Sequence, residues 1–270
     1  MWFPLGNCLC YWCCRILLIA IFFVNVVLLA GCGGKMSQVK VLKPIGNDLD
    51  ECVILLHGLG RTYHSLKQMQ NTLVQAGYHT VNLDYPSRKK NIEQLAAEYI
   101  PQAIEECSRY KPTRIHFVTH SLGGILVRMA MKNNRPTNLG RVVMLSPPNN
   151  GSEPVDALKN RWYFSWFNGP AGQQLSTAED SVPNQLGPVD YPVGIITGDR
   201  HAFFDSWLVK LFRGANDGKV SVESAQLEGM ADFLLVHSSH PYIMNSDYVE
   251  RETVYFLQNG MFLHEKERKK

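Results

Sequence analysis

Ser121 stands in Thr119-His120-Ser121-Leu122-Gly123-Gly124, directly after the apolar run Ile115-His116-Phe117-Val118. A strand that breaks at a one-residue elbow and enters a glycine-rich helix start lifts a hydroxyl clear of its neighbours, over the edge of a sheet. A hydroxyl in that position can attack an electrophilic carbon, but it is a weak nucleophile at neutral pH. It needs a base, and the base needs an acid that orients it. The elbow pattern is Gly-x-Ser-x-Gly, and its first position here is Thr119. Crowding favours small residues beside the serine; threonine is larger than glycine but still short.

The same strand-then-turn arrangement occurs earlier. Val53-Ile54-Leu55-Leu56 reads as a buried strand, and His57-Gly58-Leu59-Gly60-Arg61 follows it. With these two motifs the chain resembles the α/β-hydrolase superfamily, in particular small bacterial lipases and esterases. The resemblance implies that the His-Gly turn shapes an oxyanion loop. It makes the backbone N–H of Leu59 one oxyanion donor and that of Leu122 the other. Two fixed amides stabilise the negative oxygen of a tetrahedral intermediate, at about 3–4 kcal/mol per donor removed.

In this superfamily the order along the chain is Ser, then Asp or Glu, then His. Past Ser121 the histidines are His201, His237, His240 and His264, the last within a charged tail. His237 and His240 both follow Phe233-Leu234-Leu235-Val236, which reads as the last buried strand. His240 is preferred as the base. It lies further into the loop, Pro241 blocks early helix formation, and the resemblance points to a Ser-His pair at this place. His237 remains the alternative base. For the acid, Asp217 and Asp199 both follow strands or turns that can reach the carboxyl edge of a sheet. The phrase Asn216-Asp217-Gly218-Lys219-Val220-Ser221 resembles the acid loop of such lipases, which favours Asp217. Asp199, after Val193-Gly194-Ile195-Ile196-Thr197, is the alternative acid.

The elements that must hold these residues alternate along the chain. Leu66, Met69, Leu73 and Val74 share one helical face, Gly77 closes that helix, and Tyr78 to Leu83 is a strand. Asn91 with Gln94 forms a capping box for a long amphipathic helix, which Pro101 is expected to kink or split. A helix from Leu122 to about Asn133 follows the elbow. Val142 to Leu145, Val193 to Ile196 and Phe233 to Val236 are further strands, and a last helix spans about Ser246 to Leu257. Apolar runs without alternation, separated by helices, predict an α/β-hydrolase fold: a mostly parallel sheet covered on both faces. From Ser152 to about Pro188 no strand is expected. Trp162, Tyr163, Phe164, Trp166 and Phe167 cluster there, which suits a small cap over the Ser121 pocket, and a second segment, His201 to Phe212, is expected to border the pocket as well. Ser146-Pro147-Pro148-Asn149 reads as pocket wall.

Of 270 residues, 45% are hydrophobic and 19% charged, with a net charge of +3. That is enough for one filled domain and too little positive charge for nucleic acid. No cofactor fingerprint or metal-ligand spacing is present, and no repeat speaks to oligomeric state. The expected division is a signal peptide at 1–31, a tether at 32–50, one hydrolase domain at 51–260 with a cap at about 152–190, and a charged tail at 261–270.

Ile16 to Ala30 is apolar apart from Asn25, and short for a spanning helix of about 20 residues. It ends Leu29-Ala30-Gly31-Cys32, which looks like a bacterial lipobox with Cys32 as the acylated residue. Gly33 after it suggests outer-membrane sorting, on the periplasmic face of a bacterial envelope. An uncleaved N-terminal anchor is the rival reading. Of seven cysteines, Cys8, Cys10, Cys13 and Cys14 would leave with the signal. Cys52 and Cys107 read by default as two buried thiols, and sequence does not decide whether they pair. The reading that follows is a membrane-tethered serine hydrolase of lipid or acyl-ester substrates. An acyltransferase with the same triad, or an inactive hydrolase-fold binding lipoprotein, stands as the alternative.

Overall fold

The computed structural model describes residues 39–44, 46 and 48–265. The segments expected to be a signal peptide and a lipobox with Cys32, and residues 266–270 of the tail, lie outside the described residues.

Seven strands form one sheet in the order β1-β3-β2-β4-β5-β6-β7. They are β1 (Val39–Leu42), β2 (Glu51–Leu56), β3 (His79–Leu83), β4 (Arg114–His120), β5 (Leu139–Leu145), β6 (Val193–Gly198) and β7 (Asp232–Val236). Only β1 runs antiparallel, against β3; the other neighbours are parallel. β1 falls inside the segment expected to be a tether. Val39, Val41 and Leu42 are only partly buried and Lys40 is exposed, so β1 lacks the continuous apolar run that marked the other strands.

Successive side chains of a strand point to opposite faces, and here each face meets its own helices. Cys52, Ile54 and Leu56 of β2 pack with Ile92, Leu95 and Ile125 in one core, while Val53 and Leu55 join Met69, Leu73 and Phe256 in the other. The first core is covered by α2 (Ile92–Ser108) and α3 (Leu122–Asn133). The second is covered by α1 (Lys67–Gln75) and α8 (Asp247–Asn259). β7 is the exception among the apolar runs, for Leu235 is exposed. It is the edge strand opposite β1.

Asn91 and Gln94 make the expected capping box, with Gln94 N–H donating to Asn91 Oδ1 at 2.8 Å. Pro101 does not split α2, which runs continuously through it. Pro101 and Ala97, whose carbonyl loses its helical partner, are both exposed, so water can satisfy the freed group. Cys52 and Cys107 are fully buried, as expected, but they are not free thiols. They form a disulfide that closes the start of β2 onto the last turn of α2, with Cα atoms 5.9 Å apart.

Between β5 and β6 the chain leaves the sheet as α4 (Glu153–Leu158), α5 (Trp162–Gln173) and α6 (Val182–Gln185). α5 breaks at Gly169, whose φ is +65°. A Cβ there would run into the Arg88 carbonyl, so this helix can lie against the loop after β3 only because residue 169 is glycine. After β6 a 3-10 segment spans Phe203–Leu211, and a short α7 (Val222–Ala225) follows the Asp217 loop.

Candidate active site

Ser121 sits between the last residue of β4 and the first of α3 with φ 52° and ψ −121°. Such a backbone costs a non-glycine residue about 1–3 kcal/mol and persists only where the surroundings enforce it. Ser121 N–H donates to the Leu145 carbonyl at 2.9 Å, which ties the elbow to the end of β5. Gly123 allows the approach from below: a Cβ there would stand 2.6 Å from the Leu56 carbonyl. Thr119, the departure from the elbow pattern, is fully buried in β4, paired with Leu56 and Met144 of its neighbours. Its small size leaves the elbow intact.

Leu122 opens α3, so its N–H has no carbonyl one turn back. On the other side, Arg61 N–H closes a turn on the Gly58 carbonyl at 3.2 Å, with Gly60 at φ +68°. That hydrogen bond does not use the Leu59 N–H. The turn is braced from beneath by His57. Its ring stacks on Tyr85 with centroids 4.1 Å apart, Tyr85 donates its hydroxyl to the His57 carbonyl, and Asp84 lies 3.3 Å from Nε2. The hydrogen bond from His57 holds the Asp84 carboxyl below its usual range, and burial pushes the Tyr85 phenol up. His57 is therefore a support of the turn.

Asp217 and His240 meet. His240 Nδ1 lies 2.7 Å from Asp217 Oδ2, and Asp217 has no exposed surface. Its other oxygen, Oδ1, accepts from Lys219 N and Val220 N, each at 2.9 Å. The His240 N–H donates to the Asp217 carbonyl at 3.0 Å, so side chain and backbone are held together. A carboxylate only accepts, so Nδ1 is the donor of this pair, and whenever the ring holds a single proton Nε2 is left as an acceptor.

Asp199 and His237 also meet, each with the other. His237 Nδ1 lies 2.6 Å from Asp199 Oδ1. This pair is exposed where the first is buried: about half of the His237 side chain and a quarter of Asp199 are open to solvent. Neither residue lines the cavity at Ser121.

That cavity has a volume of about 410 Å³, and Ser121, His240 and Leu59 share its wall. Val155, Phe164 and Leu175 from the cap and Leu208 from the 3-10 segment make it mainly apolar. Pro148 supplies the expected wall after β5. A wider depression of about 910 Å³, bounded by Glu153, Arg213 and Glu223, shares no residue with it and contains neither Ser121 nor His240. Among the described residues no cluster of three or more His, Cys, Asp or Glu could hold a metal ion. No helix of these residues is long and apolar enough to cross a membrane.

Three residues of the site were not singled out from sequence. His120 donates from Nε2 to the His240 carbonyl at 3.0 Å, with the two rings 4.7 Å apart. Burial, then the neighbouring His240 and Arg61, push its pKa well below the ordinary histidine value. Asp205 is buried and takes an ion pair from Lys219, which fastens the 3-10 segment to the Asp217 loop. Arg128, inside α3, donates to the Asn149, Pro183 and Gly187 carbonyls and so joins the pocket wall to the end of the cap. Burial lowers its pKa to about 10. Its position three residues from both Ile125 and Met131, on a buried stripe, was the signal available in sequence.

A family model described as the alpha/beta hydrolase family matches residues 53–251. A lipase of Bacillus licheniformis, in its mature form, aligns with a TM-score of 0.64 at 19% identity, over 82% of this chain and 98% of that one. An esterase from Exiguobacterium antarcticum aligns with a TM-score of 0.57 at 16% identity, over 83% and 96%. A phospholipase from Legionella pneumophila gives 0.53 at 21% identity, over 65% and 44%. No curated protein sequence matches the chain. At these identities the structural likeness is one of fold.

Proposed function

The chain belongs to the α/β-hydrolase family, and from that premise we propose that it is a serine hydrolase of carboxylic esters, working through an acyl-enzyme on Ser121. The observation that carries this is the buried Asp217–His240 pair, whose histidine opens into the same cavity as the strained Ser121 elbow. In this reading His240 Nε2 takes the Ser121 proton as Oγ attacks the ester carbonyl. The oxyanion is held by the N–H groups of Leu59 and Leu122. His240 then returns the proton to the departing alcohol. Water, deprotonated by the same ring, releases the acid from Ser121.

Apolar walls favour an ester with an apolar acyl part, and 410 Å³ is within the usual range of a small-molecule pocket. The lipase, esterase and phospholipase likenesses agree with that substrate class. We further propose that the chain is a lipoprotein of a bacterial envelope, acylated at Cys32. The Cys52–Cys107 disulfide supports export, because such bonds persist in oxidising compartments.

The test is hydrolysis of p-nitrophenyl esters from acetyl to palmitoyl, beside Ser121→Ala. The variant is expected to lose at least about 10³-fold in kcat/KM and to lose labelling by a fluorophosphonate. Hydrolysis left unchanged by Ser121→Ala would overturn the reading.

A further inference from the structure

The cap and the 3-10 segment turn an unusual set of side chains outward. Trp162, Trp166 and Trp207 are 83%, 75% and 60% exposed, and Phe203 is 93% exposed. The three tryptophans are all those among the described residues. They belong to two segments, α5 and the 3-10 segment, that meet at the cavity: Tyr163 and Phe167 from one, Phe204 and Trp207 from the other, line it while also reaching solvent. The aromatic surface is thus continuous with the mouth of the Ser121 pocket. Soluble proteins rarely leave such a patch bare. Tryptophan and tyrosine, with an apolar body and a polar edge, suit the headgroup level of a bilayer.

Within the two segments that carry these rings the outward charges have one sign, although Arg213 also borders the neighbouring depression with Glu153, Asp156 and Glu223. Lys159, Arg161, Arg200, Lys210 and Arg213 are the charged residues of 159–167 and 200–213, apart from Asp205. Asp205 is buried and bonded to Lys219, so it presents no negative charge outward. The rings are also firmly mounted. Phe164 is buried, Gly169 sits against the Arg88 backbone, and Arg88 Nη1 donates to the Phe167 carbonyl at 3.4 Å.

We propose that this cap face docks on an anionic lipid surface, with the aromatic rings in the headgroup layer and the flanking cations on lipid phosphates, so that the substrate ester enters the cavity from the bilayer. The inference rests on the ester-hydrolase reading of the cavity. It does not depend on residues 1–36. A second copy is the other apolar occupant to weigh. Pairing through the same patch would bring the cations of one face against those of the other, which disfavours it.

The test uses the full chain with Trp2→Phe and Trp12→Phe, so that all tryptophan emission comes from the proposed docking face, Trp162, Trp166 and Trp207. It is mixed with vesicles of phosphatidylcholine and phosphatidylglycerol, with and without bromine on the acyl chains. Brominated vesicles are expected to quench the emission, and Arg161→Glu with Lys210→Glu to reduce the quenching by about half or more. A second variant, Trp162→Ala, Trp166→Ala and Phe203→Ala, avoids residues that line the cavity. It is expected to keep hydrolysis of p-nitrophenyl acetate and to lose about tenfold on a long-chain ester carried in the vesicles. Equal emission in brominated and plain vesicles would overturn the proposal. So would equal loss on both substrates, or an emission shift that depends on protein concentration without lipid, which would assign the face to a second copy. Quenching in a chain that hydrolyses neither ester would leave the docking face standing and remove the hydrolase reading instead.

Discussion

Two aspartate–histidine pairs lie on the same edge of the sheet, with His237 and His240 three residues apart in one loop after β7. Their hydrogen bonds are nearly equal, 2.6 Å for Asp199–His237 and 2.7 Å for Asp217–His240. Everything around those bonds differs. Asp217 is fully buried, and its second oxygen is held by two backbone N–H groups. His240 borders the Ser121 cavity. Asp199 and His237 face water, where an ion pair is worth about 0–1 kcal/mol. A carboxylate that is to orient a base must itself be fixed, and of the two only Asp217 is both fully buried and held through its second oxygen by two backbone N–H groups. Residue type and spacing do not separate the pairs; burial and the fate of the second carboxylate oxygen do.

The largest expected effect breaks the buried pair. Asp217→Asn keeps the size and the backbone contacts but turns an acceptor into a group that can donate to Nδ1. This favours the tautomer with the proton on Nε2. A fall of about 10⁴-fold in kcat is expected, with KM little changed. Stopped-flow ester hydrolysis over pH 6–9 checks it. A variant that kept its rate would transfer the acid's role to Asp199 and invert the comparison.

The next effect sharpens it from the side of the Ser121 elbow. A Cβ on Gly58 would lie 2.7 Å from His120 Nδ1 and 3.1 Å from Ser121 Cβ. Gly58→Ala therefore pushes on both the elbow and the histidine that carries the His240 backbone. A loss of about 10²-fold in kcat is expected from a displacement of this kind, with unchanged far-ultraviolet circular dichroism. The exposed pair feels none of this pressure.

Much of this arrangement was legible beforehand, for reasons that differ from residue to residue. Runs such as Val53–Leu56 and Val142–Leu145 fill strands buried on both faces, so hydrophobicity alone marked them. The Asn91–Gln94 box marked the start of α2, because its partners are local. Ser121 was legible because the elbow is a local backbone constraint. β1 was not: an edge strand of partly buried and exposed residues carries no apolar run. The Cys52–Cys107 bond was not legible either, because it depends on how α2 returns beside β2. The hydrogen bond from His120 to His240 spans 120 residues, and no pattern in the chain announces it. For the acid and base, sequence left two candidates each. The fold pairs them without crossing, Asp217 with His240 and Asp199 with His237.

A smaller effect is read as pH dependence of stability. His120 is buried and its pKa lies well below 6.5 in the folded chain, whereas the unfolded chain binds a proton there near 6.5. Below that pH the unfolded state holds more protons than the folded state, so stability is full above about 6.5 and declines as pH falls beneath it. His120→Gln removes this term while leaving a side-chain donor for the His240 carbonyl. The melting temperature of the variant is expected to drop less than that of the natural chain between pH 7 and pH 5. An equal drop would assign the acid sensitivity to other groups.

The smallest effect belongs to the exposed pair, and it is the control on which the comparison depends. His237→Ala removes a half-exposed ring whose partner, Asp199, keeps access to water. The freed carboxylate can be solvated, so no uncompensated buried charge is left behind, unlike the case of His240→Ala beside the fully buried Asp217. A change of less than about threefold in kcat/KM is expected, with stability within about 0.5 kcal/mol. Ester kinetics and urea denaturation check both. If His237→Ala instead cost as much as His240→Ala, the exposed pair would be part of the proton path, and burial would no longer be the property that tells the two pairs apart.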